Sequence, residues 1–274
     1  MAQAVIAHAE ADGRLRPGGS VVEYTGGSTG ASLALICAAK GYPLQVVTSR
    51  AFSEDKLVQM AALGARLVLV ESESGKYTKA LFLEMIETAR KIKAETGAFW
   101  TDQLNNADAV TGYYGLGEEI WRQSEGIVDA FVQSIGTGAS LSGVQAVLKR
   151  YNPGVQIVGV EPAESAVLSG GPPGAHKIEG IGIGFPPPLW NPDLAGQIVP
   201  VSTDDAEAMA RRLASEEGLF AGTSSGANVV AAIRTGMRLG PNASVATLLV
   251  DSGLKYVTTK VYQLERSDSS PALR

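Results

Sequence analysis

Three glycine-rich turns carry most of the side chains that could bind an anion. One of them, Gly136-Thr137-Gly138-Ala139-Ser140, follows an apolar run and precedes a helical pattern. Glycine lets a phosphate approach the backbone, a helix start offers unpaired N–H groups, and the threonine and serine hydroxyls add donors. The segment is not a Walker A motif, and it is not GxGxxG because Leu141 replaces the last glycine. On its own, this turn leaves both phosphate binding and plain packing open.

Two further turns have the same setting. Thr25-Gly26-Gly27-Ser28-Thr29-Gly30 combines glycines with hydroxyl side chains at a predicted helix start, which suits a carboxylate. Gly222-Thr223-Ser224-Ser225-Gly226 leads in the same way into an alanine-rich helix. Either turn could simply join a strand to a helix. Since the carboxyl ends of parallel strands meet at one edge of a sheet, the turns together favour one ligand with several anionic groups.

The elements that position these turns follow an alternating order. The predicted strands are continuous apolar runs separated by helices, which indicates an α/β fold with parallel sheets covered on both faces. The predicted strands are 21–25, 44–48, 66–70, 130–135, 156–161, 198–202 and 246–250. The predicted helices are 2–11, 31–40, 53–63, 76–95, 141–151, 204–217, 225–239 and 256–264. A polar loop at 101–106 predicts two domains, 1–106 with the Thr25 turn and 107–274 with the Gly136 turn. A single Rossmann-like domain with an insertion is the alternative.

Composition and charge exclude several classes of protein. The 274 residues are 45% hydrophobic and 19% charged, which is typical of a globular protein. A net charge of −5 provides no basic field, so nucleic acid and membrane surfaces are not expected partners. The single Cys37 cannot form an internal disulfide, and no secretory signal is recognisable, so we expect a cytoplasmic protein. His8 and His176 lie too far apart in the sequence to predict a metal site.

Two longer motifs make a resemblance specific. They run from Glu161 to Gly171 and from His176 to Phe185. With the three turns and Asp251-Ser252-Gly253, in this order, they resemble cysteine synthase (O-acetylserine sulfhydrylase) and its relative cystathionine β-synthase. The resemblance covers nearly the whole chain. It implies the second fold type of pyridoxal-phosphate enzymes, the tryptophan synthase β-like kind, with two α/β domains, pyridoxal 5'-phosphate in the cleft between them, and usually a homodimer.

The resemblance also implies roles for individual residues. The cofactor phosphate would be held by Gly136, Thr137, Gly138, Ala139 and Ser140, where Ala139 stands in place of a family glycine. Ser224 would face the pyridine nitrogen, and Gly182 would line the cleft. The carboxylate of a small amino-acid substrate would be bound by Thr25, Gly26, Ser28, Thr29 and Gln103.

The Thr25–Gly30 turn, called the substrate turn below, departs from the family pattern at two positions. Where the family has Thr-Ser-Gly-Asn-Thr-Gly, this chain has Gly26 for the serine and Ser28 for the asparagine. In the family that asparagine reaches the phenolic oxygen of the cofactor. We expect the shorter Ser28 to reach it through water, so the substrate preference of this chain is open.

The second departure concerns the catalytic residue. The Schiff-base lysine of the family belongs to a Ser-x-Lys-Asp-Arg motif, which the resemblance places just before Met1. None of the lysines compared with it has a matching context: Lys40, Lys56, Lys149, Lys177 and Lys255. We therefore expect a truncated sequence, and the alternative is a pseudoenzyme.

The resemblance implies β-replacement, in which O-acetylserine or a similar activated serine reacts with sulfide to give cysteine. Two alternatives stay open. One is a non-catalytic protein that binds pyridoxal phosphate or an amino acid in the same cleft. The other is a serine/threonine dehydratase, although the loop from Glu161 to Gly171 favours cysteine synthase.

Overall fold

The computed structural model describes residues 1–72, 78–191, 193 and 196–263. It contains two four-stranded parallel sheets, which confirms the predicted fold class. In the first sheet the strand order is β3-β2-β1-β4. These strands are β1 (Val21–Tyr24), β2 (Leu44–Thr48), β3 (Arg66–Leu69) and β4 (Phe99–Trp100). The helices that alternate with them are α1 (Ala2–Ala11), α2 (Ser28–Lys40), α3 (Glu54–Ala62) and α4 (Lys79–Thr96).

Successive residues of the central strands face opposite sides of this sheet. Val46 packs with the buried side chains of α1, α2 and α3, whereas Val47 packs with those of α4. Since side chains alternate along a strand and both faces are covered, β1 and β2 are buried at every position except Gln45. This explains why the sequence shows continuous apolar runs there.

The second sheet repeats this arrangement in the order β7-β6-β5-β8. Its strands are β5 (Ala130–Ser134), β6 (Gln156–Pro162), β7 (Gln197–Val201) and β8 (Val245–Thr247). Phe131 packs against α7 on one face, and Val132 packs against α8 and α9 on the other. Full burial of a side chain such as Phe131 stabilises the fold by about 1.5–3 kcal/mol. The helices are α5 (Asp108–Thr111), α6 (Tyr114–Gln123), α7 (Ala139–Tyr151), α8 (Thr203–Glu217) and α9 (Thr223–Leu239).

Three helices begin earlier than the sequence predicts. The helices α2, α7 and α9 start at Ser28, Ala139 and Thr223, inside the glycine turns. The turns therefore supply the first helical residues, whose N–H groups have no partner within the helix. The predicted domain boundary between 106 and 107 stays a prediction.

The helix predicted over 256–264 is wrong. The structure has a single 3-10 turn, Gly253–Tyr256, followed by further turns, and Leu264 lies outside the described residues. Thr259 Oγ1 donates to Tyr256 O at 2.7 Å, and Thr258 Oγ1 donates to Asp55 of α3 at 2.5 Å. Threonine hydroxyls that bond to nearby backbone and to other elements compete with a regular helix. Within the described ranges, none of the helices is both long and apolar enough to cross a bilayer.

Candidate active site

The Thr25–Gly30 turn lies at the carboxyl end of β1. Thr25 is buried, and its Oγ1 accepts a hydrogen bond from Gly27 N at 3.1 Å. Gly30 N donates to Gly27 O at 3.1 Å, which closes the first turn of α2. Ser28 is exposed and Thr29 is half-buried at this helix start. Their N–H groups and hydroxyls are therefore placed where the positive end of the helix favours a carboxylate.

A buried glutamate connects this turn to Gln103. Glu23 is fully buried in β1, and its carboxylate accepts from Tyr24 N at 2.8 Å, Thr101 Oγ1 at 2.5 Å and Gln103 N at 3.0 Å. Gln103 Nε2 donates to Tyr24 O at 2.8 Å. The structure thus places Gln103 next to the Tyr24–Thr25 segment. Burial, opposed by these hydrogen bonds, raises the pKa of Glu23 to about 7.

The Gly136–Ser140 turn joins β5 to α7. Thr137 Oγ1 accepts from Ala139 N at 3.4 Å, and Ser140 Oγ accepts from Gln133 Nε2 at 3.2 Å. A hydroxyl that already accepts from the protein keeps its own hydrogen for another acceptor. Thr137 and Ser140 can therefore each donate a hydroxyl hydrogen to an anion at the start of α7.

Two glycines of this turn are required by its geometry. A Cβ on Gly136 would lie 2.3 Å from the carbonyl oxygen of Gly180, so only glycine fits there. Gly138 has a φ of +86° and caps α7, a conformation that favours glycine. Ala139 is buried against Val5 and Ala109, so its methyl group faces the protein interior. The alanine in place of the family glycine is therefore accommodated by packing.

A chain of buried side chains joins the Gly136 turn to the start of α9. Asn228, one helical turn after Ser224, accepts from Ser134 N at 2.7 Å through Oδ1. Its Nδ2 donates to Gln133 Oε1 at 3.0 Å and to Leu248 O at 2.9 Å. Gln133 in turn donates to Ser140 Oγ. The Gly136 turn and the start of α9 thus belong to one hydrogen-bonded unit, which no local sequence pattern indicates.

The turn at Ser224 lies against the half-buried acid Asp251, whose backbone oxygen accepts from Gly222 N at 3.3 Å. Ser224 is buried, and a Cβ on the neighbouring Gly222 would lie 2.2 Å from Asp251 Oδ1. Asp251 Oδ2 accepts from Tyr256 Oη at 2.8 Å, whereas its buried Oδ1 has no hydrogen-bond partner among the described residues. Burial raises the pKa of the Asp251 carboxyl. An unsatisfied acceptor beside Ser224 fits a ligand that presents a polar edge there.

The loop around Gly182 connects the two sheets. Gly182 N donates to Ile135 O at 3.2 Å, and Gly182 has a φ of +62°. Its carbonyl oxygen lies 3.0 Å from His176 Nε2. Three residues further along, the Phe185 ring lies 6.0 Å from the Phe82 ring of α4. Gly182, which is predicted to line the cleft, therefore belongs to a loop that contacts the Gly136 turn at one point and the aromatic side chains of the first sheet, such as Phe82, at another.

Lys56 makes a second connection between the sheets. Its side chain is buried although it lies on α3, and its Nζ forms an ion pair with Glu179. The same Nζ lies 5.3 Å from the centre of the Tyr256 ring. In the sequence, Lys56 is one of the lysines that do not match the Ser-x-Lys-Asp-Arg motif of the family. A charged residue on a predicted helix gives no sign that its partner is 123 positions away.

We expect Asn228→Ala to lower the free energy of unfolding by about 2–3 kcal/mol. The change leaves the Ser134 N–H and Gln133 Oε1 without their partner in a buried position, where each unpaired group is costly. Chemical denaturation measures the effect. The control is Asn152→Ala, since the side chain of Asn152 caps only an exposed turn through Gly154 N at 2.9 Å. Equal losses in the two variants would mean that the Asn228 network does not stabilise the fold.

Comparison with known proteins agrees with this geometry. The sequence pattern of the pyridoxal-phosphate dependent enzymes matches residues 1–251. The chain belongs to this family. Within the family it is 41% identical to the cysteine synthase of Staphylococcus aureus over 268 residues, which are 97% of this chain and 84% of that protein.

Solved structures of the family superpose closely on this chain. The cysteine synthase of Entamoeba histolytica gives a TM-score of 0.89 at 32% identity, covering 97% of this chain and 78% of that one. O-ureido-L-serine synthase gives 0.88 at 32% identity, with 97% and 84% covered. A hydrogen sulfide-producing enzyme of Fusobacterium nucleatum gives 0.89 at 30% identity, with 97% and 80% covered. These likenesses confirm the resemblance found in the sequence.

The residues of this chain fit the family's cofactor. Thr137 and Ser140 each keep a hydroxyl hydrogen for a phosphate oxygen, and the start of α7 favours its negative charge. At the Gly222–Gly226 turn, Ser224 and the unpartnered Oδ1 of Asp251 provide polar groups. Where the structure describes the chain, no group of three or more His, Cys, Asp and Glu side chains could hold a metal ion.

Proposed function

We propose that this chain carries out a cysteine synthase-like β-replacement, in which sulfide replaces the β-substituent of an activated serine such as O-acetylserine. The observation that carries the proposal is the connection of the three turns. Gln133 and Asn228 join the phosphate turn to the Ser224 turn, and the Gly182–Phe185 loop joins them to the side of the Thr25 turn. A cofactor with a phosphate and a ring, and a substrate with a carboxylate, match this set of donors.

The phosphate turn would anchor the cofactor. Thr137, Ser140 and the N–H groups that begin α7 would donate to the phosphate oxygens. Gly136 and Gly138 would keep the backbone close to them, with Ala139 as part of the same turn. Bound pyridoxal phosphate supplies an electron-withdrawing ring that weakens the bonds at the substrate α-carbon. The protein contributes binding and orientation.

Ser224 would set the electronic character of the ring. Its hydroxyl would face the pyridine nitrogen, and a hydroxyl does not protonate the ring as a carboxylate does. This suits elimination and replacement at the β-carbon over transamination. Gly182 would keep the adjoining wall of the cleft free of side chain.

The substrate carboxylate would bind at the start of α2. Thr25, Ser28, Thr29 and the Gly26–Gly27 backbone would surround it, with Gln103 beside them. One amide hydrogen of Gln103 holds Tyr24 O, which leaves the second for the substrate. Ser28 would also approach the cofactor.

The decisive experiment restores the lysine motif. The family motif Ser-x-Lys-Asp-Arg is not among the 274 residues, so two proteins should be compared: the chain, and the chain with this segment placed before Met1. With pyridoxal phosphate, O-acetylserine and sulfide, the second should form cysteine and release acetate, whereas the first should be at least a thousandfold slower. Absence of cysteine formation by a folded, cofactor-loaded second protein would refute the proposal.

The same experiment separates the alternatives. Release of ammonia and a keto acid from serine or threonine would indicate a dehydratase. Cofactor binding without turnover by the restored protein would indicate a binding protein. O-ureido-L-serine synthase is also structurally similar, so hydroxyurea should be tried in place of sulfide. The identity to the Staphylococcus aureus cysteine synthase favours the first proposal over these.

Ser28 gives a finer prediction for the restored protein. It is exposed at the first position of α2, beside the N–H groups that begin this helix. We expect Ser28→Ala to raise KM for O-acetylserine by about 5- to 30-fold with little change in kcat, which corresponds to about 1–2 kcal/mol for one hydrogen bond to a charged group.

Ser28→Asn restores the family residue and provides the matched variant. The exposed position accommodates the longer side chain, so this variant should retain or improve the KM for O-acetylserine. Unchanged KM in both variants, together with an unchanged cofactor absorption spectrum, would show that Ser28 binds neither the substrate nor the cofactor.

We further propose that the protein is a homodimer and is cytoplasmic. The resemblance to cysteine synthases supports the first, and the single Cys37, buried and without a disulfide, agrees with a reducing compartment. Light scattering coupled to size-exclusion chromatography measures the mass in solution.

A further inference from the structure

The ring of Phe52 lies directly on Gly26 of the substrate turn. Phe52 belongs to the connection between β2 and α3. A Cβ placed on Gly26 would be 2.0 Å from Cδ1 of this ring, and 2.2 Å from both Cγ and Cε1. These distances are far below any van der Waals contact, so the ring and a side chain at position 26 exclude each other.

Rotation of the ring cannot relieve this conflict. One of the close atoms is Cγ, through which the ring is attached, and its position does not change when the ring turns about its own axis. Phe52 N donates to Ser49 O at 3.2 Å, and Ala51 N donates to Ser49 Oγ at 3.3 Å. Ser49 is buried at the end of β2, so the backbone that carries the ring is fixed.

The ring also packs against a buried cluster that contains Tyr24 and Phe82. Ile183 and Phe185, from the loop after Gly182, pack against the same cluster. A shift of the ring away from Gly26 would therefore disturb packing that is shared by both sides of the cleft.

We propose that Phe52 and Gly26 form a matched pair that positions the substrate turn, with the ring filling the space of the serine side chain in the Thr-Ser-Gly-Asn-Thr-Gly pattern. The ring presses on the backbone of the turn and so fixes the N–H groups of Ser28 and Thr29 at the start of α2. The identity of the ligand at these groups rests on the proposed function, whereas the pairing of the two residues does not.

A double-mutant cycle tests the pairing. The four proteins are the parent, Gly26→Ser, Phe52→Ala and the double variant, each measured with bound pyridoxal phosphate for thermal stability and for L-serine affinity. Trp100, whose ring lies 6.0 Å from that of Tyr24 next to the turn, provides a fluorescence signal for binding. We expect Gly26→Ser to lower the melting temperature and to weaken L-serine binding at least tenfold. The double variant should recover most of both losses.

Gly27→Ser serves as the control for stability. A Cβ on Gly27 meets no atom within 4 Å, and the φ of Gly27 is −152°. The same hydroxymethyl group added one residue later should therefore leave the melting temperature nearly unchanged. This separates the clash with Phe52 from a general intolerance of side chains in the turn.

The outcomes distinguish the pairing from the proposed function. Gly26→Ser that melts and binds like the parent would overturn the pairing, and so would a Gly26→Ser defect that Phe52→Ala leaves uncorrected. Recovery of the melting temperature in the double variant, with no L-serine binding by any of the four proteins, would support the pairing while refuting the proposed substrate site.

Discussion

Replacing Thr137 and Ser140 together by alanine should weaken pyridoxal-phosphate binding by about 100-fold to 10,000-fold. Each hydroxyl is expected to donate one hydrogen bond to a phosphate oxygen, and such bonds to a charged group contribute about 1.5–3 kcal/mol each. The pair then contributes about 3–6 kcal/mol, and every 1.4 kcal/mol is about a tenfold change in affinity. Because phosphate binding needs no lysine, the chain as it stands can be used.

The structure explains why these hydroxyls should act as donors. The acceptor side of Ser140 Oγ is filled by Gln133 Nε2, and that of Thr137 Oγ1 is filled by Ala139 N. Each hydroxyl hydrogen therefore points away from the N–H group that donates to its oxygen. Titration of the chain with pyridoxal phosphate, followed by cofactor fluorescence, measures the affinity.

Ser142→Ala is the matched control for this experiment. Ser142 lies in the same helix, but its Oγ donates to Leu189 O at 3.0 Å, so it is committed to the protein. It should bind the cofactor like the parent, provided that the protein remains folded. Parent-like affinity in the double variant would place the phosphate elsewhere in the molecule.

The turns of the site were predictable from the sequence because their signals are local. A glycine and hydroxyl-rich segment between an apolar run and a helical pattern identifies a strand, a turn and a helix start within about ten residues. The structure places the turns at Thr25 and Gly136 at strand ends, whereas the turn at Gly222 follows α8 and an isolated bridge at Ala221. The helices α2, α7 and α9 all begin inside these turns. Only the exact helix starts differ.

The residues that hold the turns in place were not predictable, since their partners are distant in sequence. Asn228 meets Gln133 at a separation of 95 residues, and Thr101 meets Glu23 at a separation of 78. The second contact depends on the parallel pairing of Val22 with Trp100, a register that a single sequence does not specify. A glutamate inside an apolar strand is nevertheless a signal, because buried charges are rare without partners.

The position of Phe52 shows the same limit. The sequence shows that Gly26 departs from the family serine, but nothing near Gly26 indicates what takes the place of that side chain. The answer comes from the connection that follows β2, which the sheet brings next to β1. Packing between residues that are distant in the sequence therefore determines what occupies the space of the missing side chain.

Glu23 should make the stability of the protein depend on pH. Its pKa in the folded chain is about 7, raised by burial from an ordinary value of 4.5. Between these values the folded chain holds a proton that the unfolded chain releases. Stability from this group is therefore complete below about pH 4.5 and is lost as the pH rises toward 7. The loss is about 3 kcal/mol, from 1.36 kcal/mol for each pH unit.

Glu23→Gln isolates this contribution from all other titrating groups. Glutamine is neutral at every pH, so its variant keeps the pH dependence of the rest of the protein. The amide group also places a donor against either Tyr24 N or Gln103 N, and one of these N–H groups is left unpaired, at a cost of about 1–3 kcal/mol. The variant should thus be less stable at pH 4.5.

The measurement is the difference in free energy of unfolding between the parent and Glu23→Gln, by urea denaturation at several pH values. The parent's advantage of about 1–3 kcal/mol at pH 4.5 should fall by about 3 kcal/mol up to pH 7, so that the two proteins become equally stable or the variant becomes the more stable one. Above pH 7 the difference should stay constant. Glu118→Gln is the control, since Glu118 pairs with Arg150 and Tyr151 at the exposed surface. A difference that does not change with pH would show that Glu23 is ionised throughout, with its three donors outweighing burial. In that case an ionised Glu23 carboxylate would connect Thr101 and Gln103 to the strand that precedes the substrate turn.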